Sequence, residues 1–214
     1  MKVIITGATG MVGEGVLLEC LQHKNVEEIL LIGRKPYGLQ HPKLKQLIVP
    51  DFLKISAYAN QLYGYDACFF CAGISSLGMN EEKYTAVTYN TTLFFAKTLE
   101  QLNPSMVFNY VSGAGTDSSE KGRLMWARVK GKTENDLMQL GFKGQYNFRP
   151  AIMLPTTGQK SLKTSYKILG SIFKYLLPKS TLKLSEVGKA MINTVIKGYH
   201  KQVLEVADIK LLSV

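Results

Sequence analysis

The feature that most constrains the fold lies at residues 3–13, VIITGATGMVG. An apolar run ends at Thr6, three glycines follow as G-x-x-G-x-x-G, and the pattern then turns helical. Each glycine meets a steric need of a strand–turn–helix unit that holds a phosphate group. Gly7 lets the chain turn sharply off the strand, Gly10 lets the backbone approach a pyrophosphate, and Gly13 lets the helix lie close on the sheet. Thr9, Met11 and Val12 complete the turn, and backbone N–H groups at the helix start bind the anion. A chain that opens this way is predicted to be α/β, built from stacked βαβ units.

The rest of the chain keeps the alternation. Near-continuous apolar runs at residues 3–5, 29–32, 67–70 and 106–111 predict strands covered on both faces, as in a doubly wound parallel sheet. Residues 47–49 supply a weaker strand and residues 145–148 a further one, closed by Arg149-Pro150. Helical patterns occupy residues 11–23, 81–102 and 124–140; in the first, Val12, Val16, Leu17, Cys20 and Leu21 make one buried face. Beyond Pro150, Leu162, Tyr166, Leu169, Phe173 and Leu176 recur in steps of four and three. That spacing predicts an amphipathic helix with Lys163, Lys167 and Lys174 on its other faces. Residues 185–198 predict a helix with Ser185 as N-cap and Gly198 at its end, followed by a short strand around 203–206. The expectation is a single domain over 1–214, with a dinucleotide-binding core to about residue 150 and a small substrate-side region from 151.

Composition closes off other classes. The chain has 214 residues, 46% hydrophobic and 20% charged, which excludes disordered and fibrous types. No stretch reaches the roughly 18 apolar residues of a membrane-spanning helix, and the sequence starts directly on a strand-like run, so a soluble cytoplasmic protein is expected. Cys68 and Cys71 form a C-x-x-C pair inside the run DACFFCAG, where thiols behave as small buried hydrophobes. With Cys20 the only other cysteine, no zinc set is completed, and no metal is expected.

The net charge of +10 raises the question of nucleic acid, so its distribution matters. Residues 1–159 carry +3 and residues 160–214 carry +7, the latter from lysine alone. No sequence-reading motif accompanies these lysines, so no specific nucleic-acid partner is expected. The lysine-rich C-terminal region is instead a surface for weak contact with anionic membrane or protein, on a monomer or homodimer.

The turn TGATGMVG resembles the cofactor turn of extended and atypical short-chain dehydrogenases/reductases. LLIGRKP, PDF, FFCAG, NYVSGAG and FRPAIMLP resemble that superfamily's later segments in the right order. The likeness is good over roughly residues 1–155 and is strongest to its small epimerase/dehydratase-like or Tat-interacting-protein-like oxidoreductases. It implies an NAD(P)-binding Rossmann fold. It also implies that Asp51 contacts the adenine amine, that Phe52 flanks the ring, and that Cys71, Ala72 and Gly73 line the adenosine and ribose. Backbone after Pro150 is implied to meet the nicotinamide carboxamide, with Met153 and Leu154 bordering a small-molecule substrate.

The cofactor's identity follows from the second strand. Twenty residues after Gly13 stands Gly33, then Arg34 and Lys35, with no acid to hold a ribose 2′-hydroxyl. A guanidinium there pairs with a 2′-phosphate, so NADP is expected over NAD.

The resemblance places a serine at Ser112 and a ribose-binding lysine at Lys130, but the family's tyrosine, four before the lysine, is here Trp126. A phenol can be tuned into an acid–base group, whereas an indole N–H donates a hydrogen bond and does not ionise. Tyr84, Tyr89, Tyr110 and Asp117 are the candidate substitutes. Two readings stay open: an oxidoreductase or epimerase-like enzyme with an altered active site, and a non-catalytic NADP(H)-binding redox sensor acting through a protein partner.

Overall fold

The computed structural model describes residues 1–159 and 180–214. The chain opens with β1 (Lys2–Thr6), α1 (Met11–Gln22) and β2 (Glu28–Gly33), followed by β3 (Leu44–Ile48), a 3-10 helix (Phe52–Gln61) and β4 (Ala67–Phe70). Next come α2 (Glu81–Thr85), α3 (Thr91–Leu102), β5 (Val107–Val111), α4 (Met125–Leu137) and β6 (Gly144–Phe148). The remainder holds β7 (Ile152–Leu154), β8 (Thr181–Lys183), α5 (Leu184–Lys197), β9 (Val203–Leu204) and α6 (Val206–Leu212).

Seven strands form one sheet in the order β3-β2-β1-β4-β5-β6-β9, every pair parallel. The order reverses between β1 and β4, where Val3 pairs with Ala67 and Thr6 with Phe70. Alternate strand residues feed two cores. Val3, Ile5, Phe69 and Phe148 meet α1, α5 and α6 on one face, while Ile4, Phe70, Phe108 and Tyr110 meet the 3-10 helix, α3 and Leu137 of α4 on the other. This is the doubly wound α/β sheet that the apolar runs predict.

Helices α1 and α5 approach closely through glycine. A Cβ on Gly15 would stand 2.6 Å from the Leu184 Cβ, and one on Gly188 would stand 2.7 Å from the Glu19 Cβ. The C-terminal segments therefore bear directly on the helix that follows the glycine turn.

Several boundaries differ from the sequence expectation. The pattern over 81–102 is not one regular helix: α2 and α3 are joined by a π turn at Ala86–Asn90. Periodicity is blind to this, because the run stays helical while its pitch widens. The strand expected at 47–49 is Leu44–Ile48; it lies at the sheet edge, where Lys45 and Gln46 are exposed and break the apolar run. Ser185 is not an N-cap. α5 starts at Leu184, and the Lys183 N–H donates to the Glu186 carboxylate at 2.5 Å, which places Ser185 inside the first turn. Gly198 does end the helix, at φ +67°. The strand expected at 203–206 stops at Leu204, because Asp208 accepts from the Glu205 N–H at 3.1 Å and starts α6 at Val206. The small parallel pair β7–β8 and the 3-10 helix have no counterpart in the sequence reading. The amphipathic helix expected over 162–176 lies outside the described residues. Among the described residues no helix is long and apolar enough to cross a membrane.

Candidate dinucleotide and active site

The turn between β1 and α1 is built as its glycines require. Gly7 has φ +75°, and a Cβ there would stand 2.6 Å from the Cys71 carbonyl and the Ala72 nitrogen. Any side chain would thus collide with the end of β4 as well as strain the backbone. Gly13 sits under the same turn, where a Cβ would lie 2.3 Å from the Gly7 oxygen. The Gly10 N–H donates to that oxygen at 2.9 Å, and the Thr6 Oγ1 accepts from the Ala72 N–H at 3.1 Å, pinning β1 to β4. α1 begins at Met11, so its first N–H groups have no partner within the helix and form an anion-binding end.

A cavity of about 580 Å³ opens beside this turn at the reversal point of the sheet. Of the residues singled out from the sequence, Gly7, Thr9, Gly10, Arg34, Asp51, Phe52, Cys71, Ala72 and Gly73 all line it. Met11, Val12 and Gly13 do not; they form the first turn of α1, and Gly13 serves there as a contact for Gly7. Lys130 and Pro150 also lie outside the cavity wall, at the ends of β5 and β6. Sequence reasoning missed Tyr37, Gln46, Ile74, Val87 and Thr91, which line the cavity from loops, from edge strand β3, from the π turn and from the start of α3. These segments lie far apart in the sequence, and only the fold brings them to one wall.

The wall chemistry suits an adenosine with phosphates. Asp51 is the one carboxylate among the described lining residues. One of its oxygens accepts from the Leu53 N–H at 3.0 Å, leaving the other to take an amine. Phe52 packs on Phe95 at a centroid distance of 5.4 Å and gives the cavity an aromatic side. Arg34 and Lys35 stand exposed on the rim. Cys71 lines the wall as a free, half-buried thiol, and burial pushes its pKa up to about 12; Cys68 is a free thiol buried in β4. No group of three or more metal-ligating His, Cys, Asp or Glu side chains occurs among the described residues.

The second part of the site lies at the ends of β5 and β6. Lys130 reaches from α4 to the end of β5, where its Nζ donates to the Val111 carbonyl at 3.4 Å and the Ser112 carbonyl at 3.2 Å. It also lies 5.4 Å from the centroid of the Tyr110 ring. Burial pushes its pKa down to about 8, against the opposing pull of Glu134. Thr116 donates its hydroxyl to the Gly113 carbonyl at 2.8 Å, so across the 2.8 Å contact between Thr116 and Ser112 the Ser112 hydroxyl is the donor. Trp126 is half-buried one turn before Lys130, its ring 3.6 Å from where a Cβ on Gly115 would stand. The structure therefore gathers Ser112, Lys130 and Trp126 around the turn after β5. The Pro150 carbonyl accepts from the Ala114 N–H at 3.0 Å, tying that turn to the end of β6.

The candidate substitutes for the missing phenol are engaged elsewhere. Asp117 accepts from the Ser119 N–H and hydroxyl and from the Gly122 N–H, closing its own turn. The Tyr89 hydroxyl donates to Asp136 at 2.5 Å on the far side of α4. Tyr84 and Tyr110 are both buried, Tyr110 beside Lys130, and burial raises both pKa values.

Beneath α4, Arg149 meets Glu134 through a buried ion pair and also donates to Ser118 at 2.6 Å and Glu205 at 3.3 Å. These contacts fix α4, and with it Lys130, to β6 and α6.

Comparison with known proteins bears on the fold and the family. The profile of the NAD dependent epimerase/dehydratase family matches residues 3–134. The chain is similar to Protein HTATIP2 of Rattus norvegicus, at 29% identity over 72% of this chain and 63% of that protein. It is also similar to Protein FMP52, mitochondrial, of Candida albicans, at 26% identity over 92% of this chain and 89% of that one. The chain thus spans under two thirds of the rat protein's length. Among solved structures, the fold resembles the Bordetella bronchiseptica enzyme WbmF in complex with NAD+, with a TM-score of 0.69 at 14% identity over 99% of this chain and 76% of that one. It likewise resembles a Burkholderia cenocepacia short chain dehydrogenase in complex with NADP, with a TM-score of 0.68 at 12% identity over 98% and 90%. These structural likenesses carry the fold; the family profile, which covers more than half of the residues, carries the membership. The chain belongs to the NAD dependent epimerase/dehydratase family, and its cofactor is by that membership a nicotinamide dinucleotide.

Proposed function

We propose that this protein is an NADP(H)-dependent oxidoreductase or epimerase-like enzyme whose active site is altered at Trp126 and whose substrate is small or moderately apolar. The observation that supports it best is the Lys130 amine, held on two carbonyls at the end of β5 beside Ser112. An amine in that place is positioned to bind the ribose hydroxyls, beside a Ser112 hydroxyl whose proton goes to Thr116. The preference for NADP(H) rests on Arg34 and Lys35 at the end of β2, with no acid beside them to repel a 2′-phosphate.

When bound, the dinucleotide supplies or takes the hydride. The chain's own residues orient it: the glycine turn holds the pyrophosphate, Asp51 and Phe52 the adenine, and Lys130 the ribose. The indole of Trp126 donates a hydrogen bond without releasing a proton in water. The Lys130 ammonium, one turn further along the same helix and with its pKa down near 8, is an exchangeable acid in this part of the site.

A second reading, a redox sensor that binds NADP(H) and reports it through a protein partner, is favoured by the same indole and by the burial of Tyr84 and Tyr110. Turnover decides between the two. Consumption of NADPH across a panel of aldehydes, ketones and quinones is expected for the enzyme, and tight binding without turnover for the sensor. Trp126→Tyr should bring up or raise reductase activity; a variant that folds, binds NADPH and stays inert would count against the proposed geometry. A cytoplasmic location belongs to the same proposal, and cell fractionation checks it against the mitochondrial designation of the fungal relatives.

A further inference from the structure

The loop of residues 34–43 carries Arg34 and Lys35 to the cavity rim, and nothing in a loop of that length fixes their position by itself. Two side chains that the sequence reading passed over fix it. Gln46, opposite Leu31 on edge strand β3, accepts from the Tyr37 N–H at 2.9 Å. It returns its own amide protons to the Tyr37 carbonyl at 2.8 Å and the Leu39 carbonyl at 3.3 Å. One amide thus pairs with the loop backbone in both directions, as a neighbouring strand would.

Tyr37 then anchors the loop from the other side. Its ring packs against the core cluster under α1, and its hydroxyl donates to the Glu14 carboxylate at 2.8 Å. Glu14 is buried in the first turn of α1, beside the phosphate-binding end of that helix. Burial and this bond push the Tyr37 pKa up to about 12, so the phenol remains a donor through the neutral range. The Tyr37 hydroxyl thus gives the buried Glu14 side chain a donor and ties the loop to α1.

From this geometry we infer that Gln46 and Tyr37 are specificity-determining positioning residues: they hold the loop so that Arg34 and Lys35 meet a 2′-phosphate. The inference rests on the NADP(H) reading above. It requires that losing either side chain weaken binding of the 2′-phosphorylated dinucleotide selectively, since the glycine turn, Asp51 and Phe52 hold the parts common to both cofactors.

The experiment titrates NADPH and NADH separately into the purified wild-type chain and into Gln46→Ala and Tyr37→Phe, following ligand fluorescence, with a ligand-free melting curve for each protein. Wild type should prefer NADPH. In Gln46→Ala that preference should fall about tenfold, the size of one misplaced charge-assisted contact, with NADH affinity changed less than about twofold. Tyr37→Phe keeps the ring packing and should lower the preference in the same direction. A merely structural role would weaken both ligands in parallel. Parallel weakening, or an unchanged ratio in both folded variants of a wild type that prefers NADPH, overturns the inference alone. A wild type that binds NADH as tightly as NADPH overturns the NADP(H) reading and this inference with it.

Discussion

At Lys130 burial and titration are directly linked. Its ammonium is withdrawn from water at the end of β5, and its pKa falls from 10.5 to about 8. Between those values the unfolded chain binds the proton that the folded chain has released, so this site adds stability as pH rises through that window. Below pH 8 the desolvated charge is a cost. The buried thiols of Cys20, Cys68 and Cys71 act in the opposite sense, since burial raises their pKa values and folding is disfavoured as pH climbs past the unfolded thiol range. The wild-type curve is therefore composite, and its difference from Lys130→Met isolates the lysine. Lys130→Met should be more stable at pH 7 by ~1 kcal/mol, about 2–4 °C in melting temperature. The gap should close toward pH 10; a gap that stays constant from pH 7 to 10 would sink this account.

The spacing of Trp126 and Lys130 is legible in the sequence because i and i+4 share a helix face whatever the fold. Gln46 and Tyr37 are not legible, because their pairing joins a loop to an edge strand and has no local periodicity.

Among the elements, α4 is held by more than its apolar face. Arg149 at the end of β6 places its Nε 3.0 and 3.1 Å from the two Glu134 oxygens, and Glu134 is wholly buried. The same guanidinium reaches Ser118 in the turn before α4 and Glu205 at the start of α6. Gly131 completes the contact, since a Cβ there would stand 1.8 Å from the Asp117 carbonyl oxygen. Removing the arginine alone strands a buried carboxylate, which costs more than the pair contributes. Arg149→Met should lose roughly 3–5 kcal/mol in urea unfolding. Adding Glu134→Leu should recover most of that loss, because the stranded charge goes with it. If the double variant is as unstable as the single one, the penalty lies in lost packing rather than in the charge.

The sequence shows α4 and β6 as separate apolar patterns, and R-P reads as a turn. The link between them is invisible, because Glu134 and Arg149 belong to different elements and look like ordinary surface charges. The π turn at Ala86–Asn90 is hidden for a related reason: an inserted residue shifts a helix face without ending the helix.

Over the whole molecule, the order of the sheet decides where function sits. β1 and β4 are neighbours, yet their crossovers run to opposite sides, so a crevice opens beyond their C-terminal ends. The glycine turn, the end of β2 and the end of β4 all empty into it. This much follows from VIITGATGMVG and the order of apolar runs, because a parallel sheet with covered faces leaves few other arrangements. The edge strands are harder to read, since β3 and β9 are short or half polar and owe their place to their neighbours.

A ligand seated in that crevice touches the loop ends of β1, β2 and β4 together and must stabilise the fold as a unit. At a concentration of 100 times Kd, NADPH should add about 2.7 kcal/mol to the folded state. In a chain of 214 residues that corresponds to a rise of roughly 5–10 °C in melting temperature. NADH at the same molar concentration should give a smaller rise. Arg34→Ala should bring the NADPH shift down to the NADH value while leaving the NADH shift and the ligand-free melting temperature in place, because Arg34 is exposed and lies on the rim. Equal shifts for the two dinucleotides in the wild type would remove Arg34 from cofactor choice. An NADPH shift that survives Arg34→Ala would transfer the 2′-phosphate to Lys35.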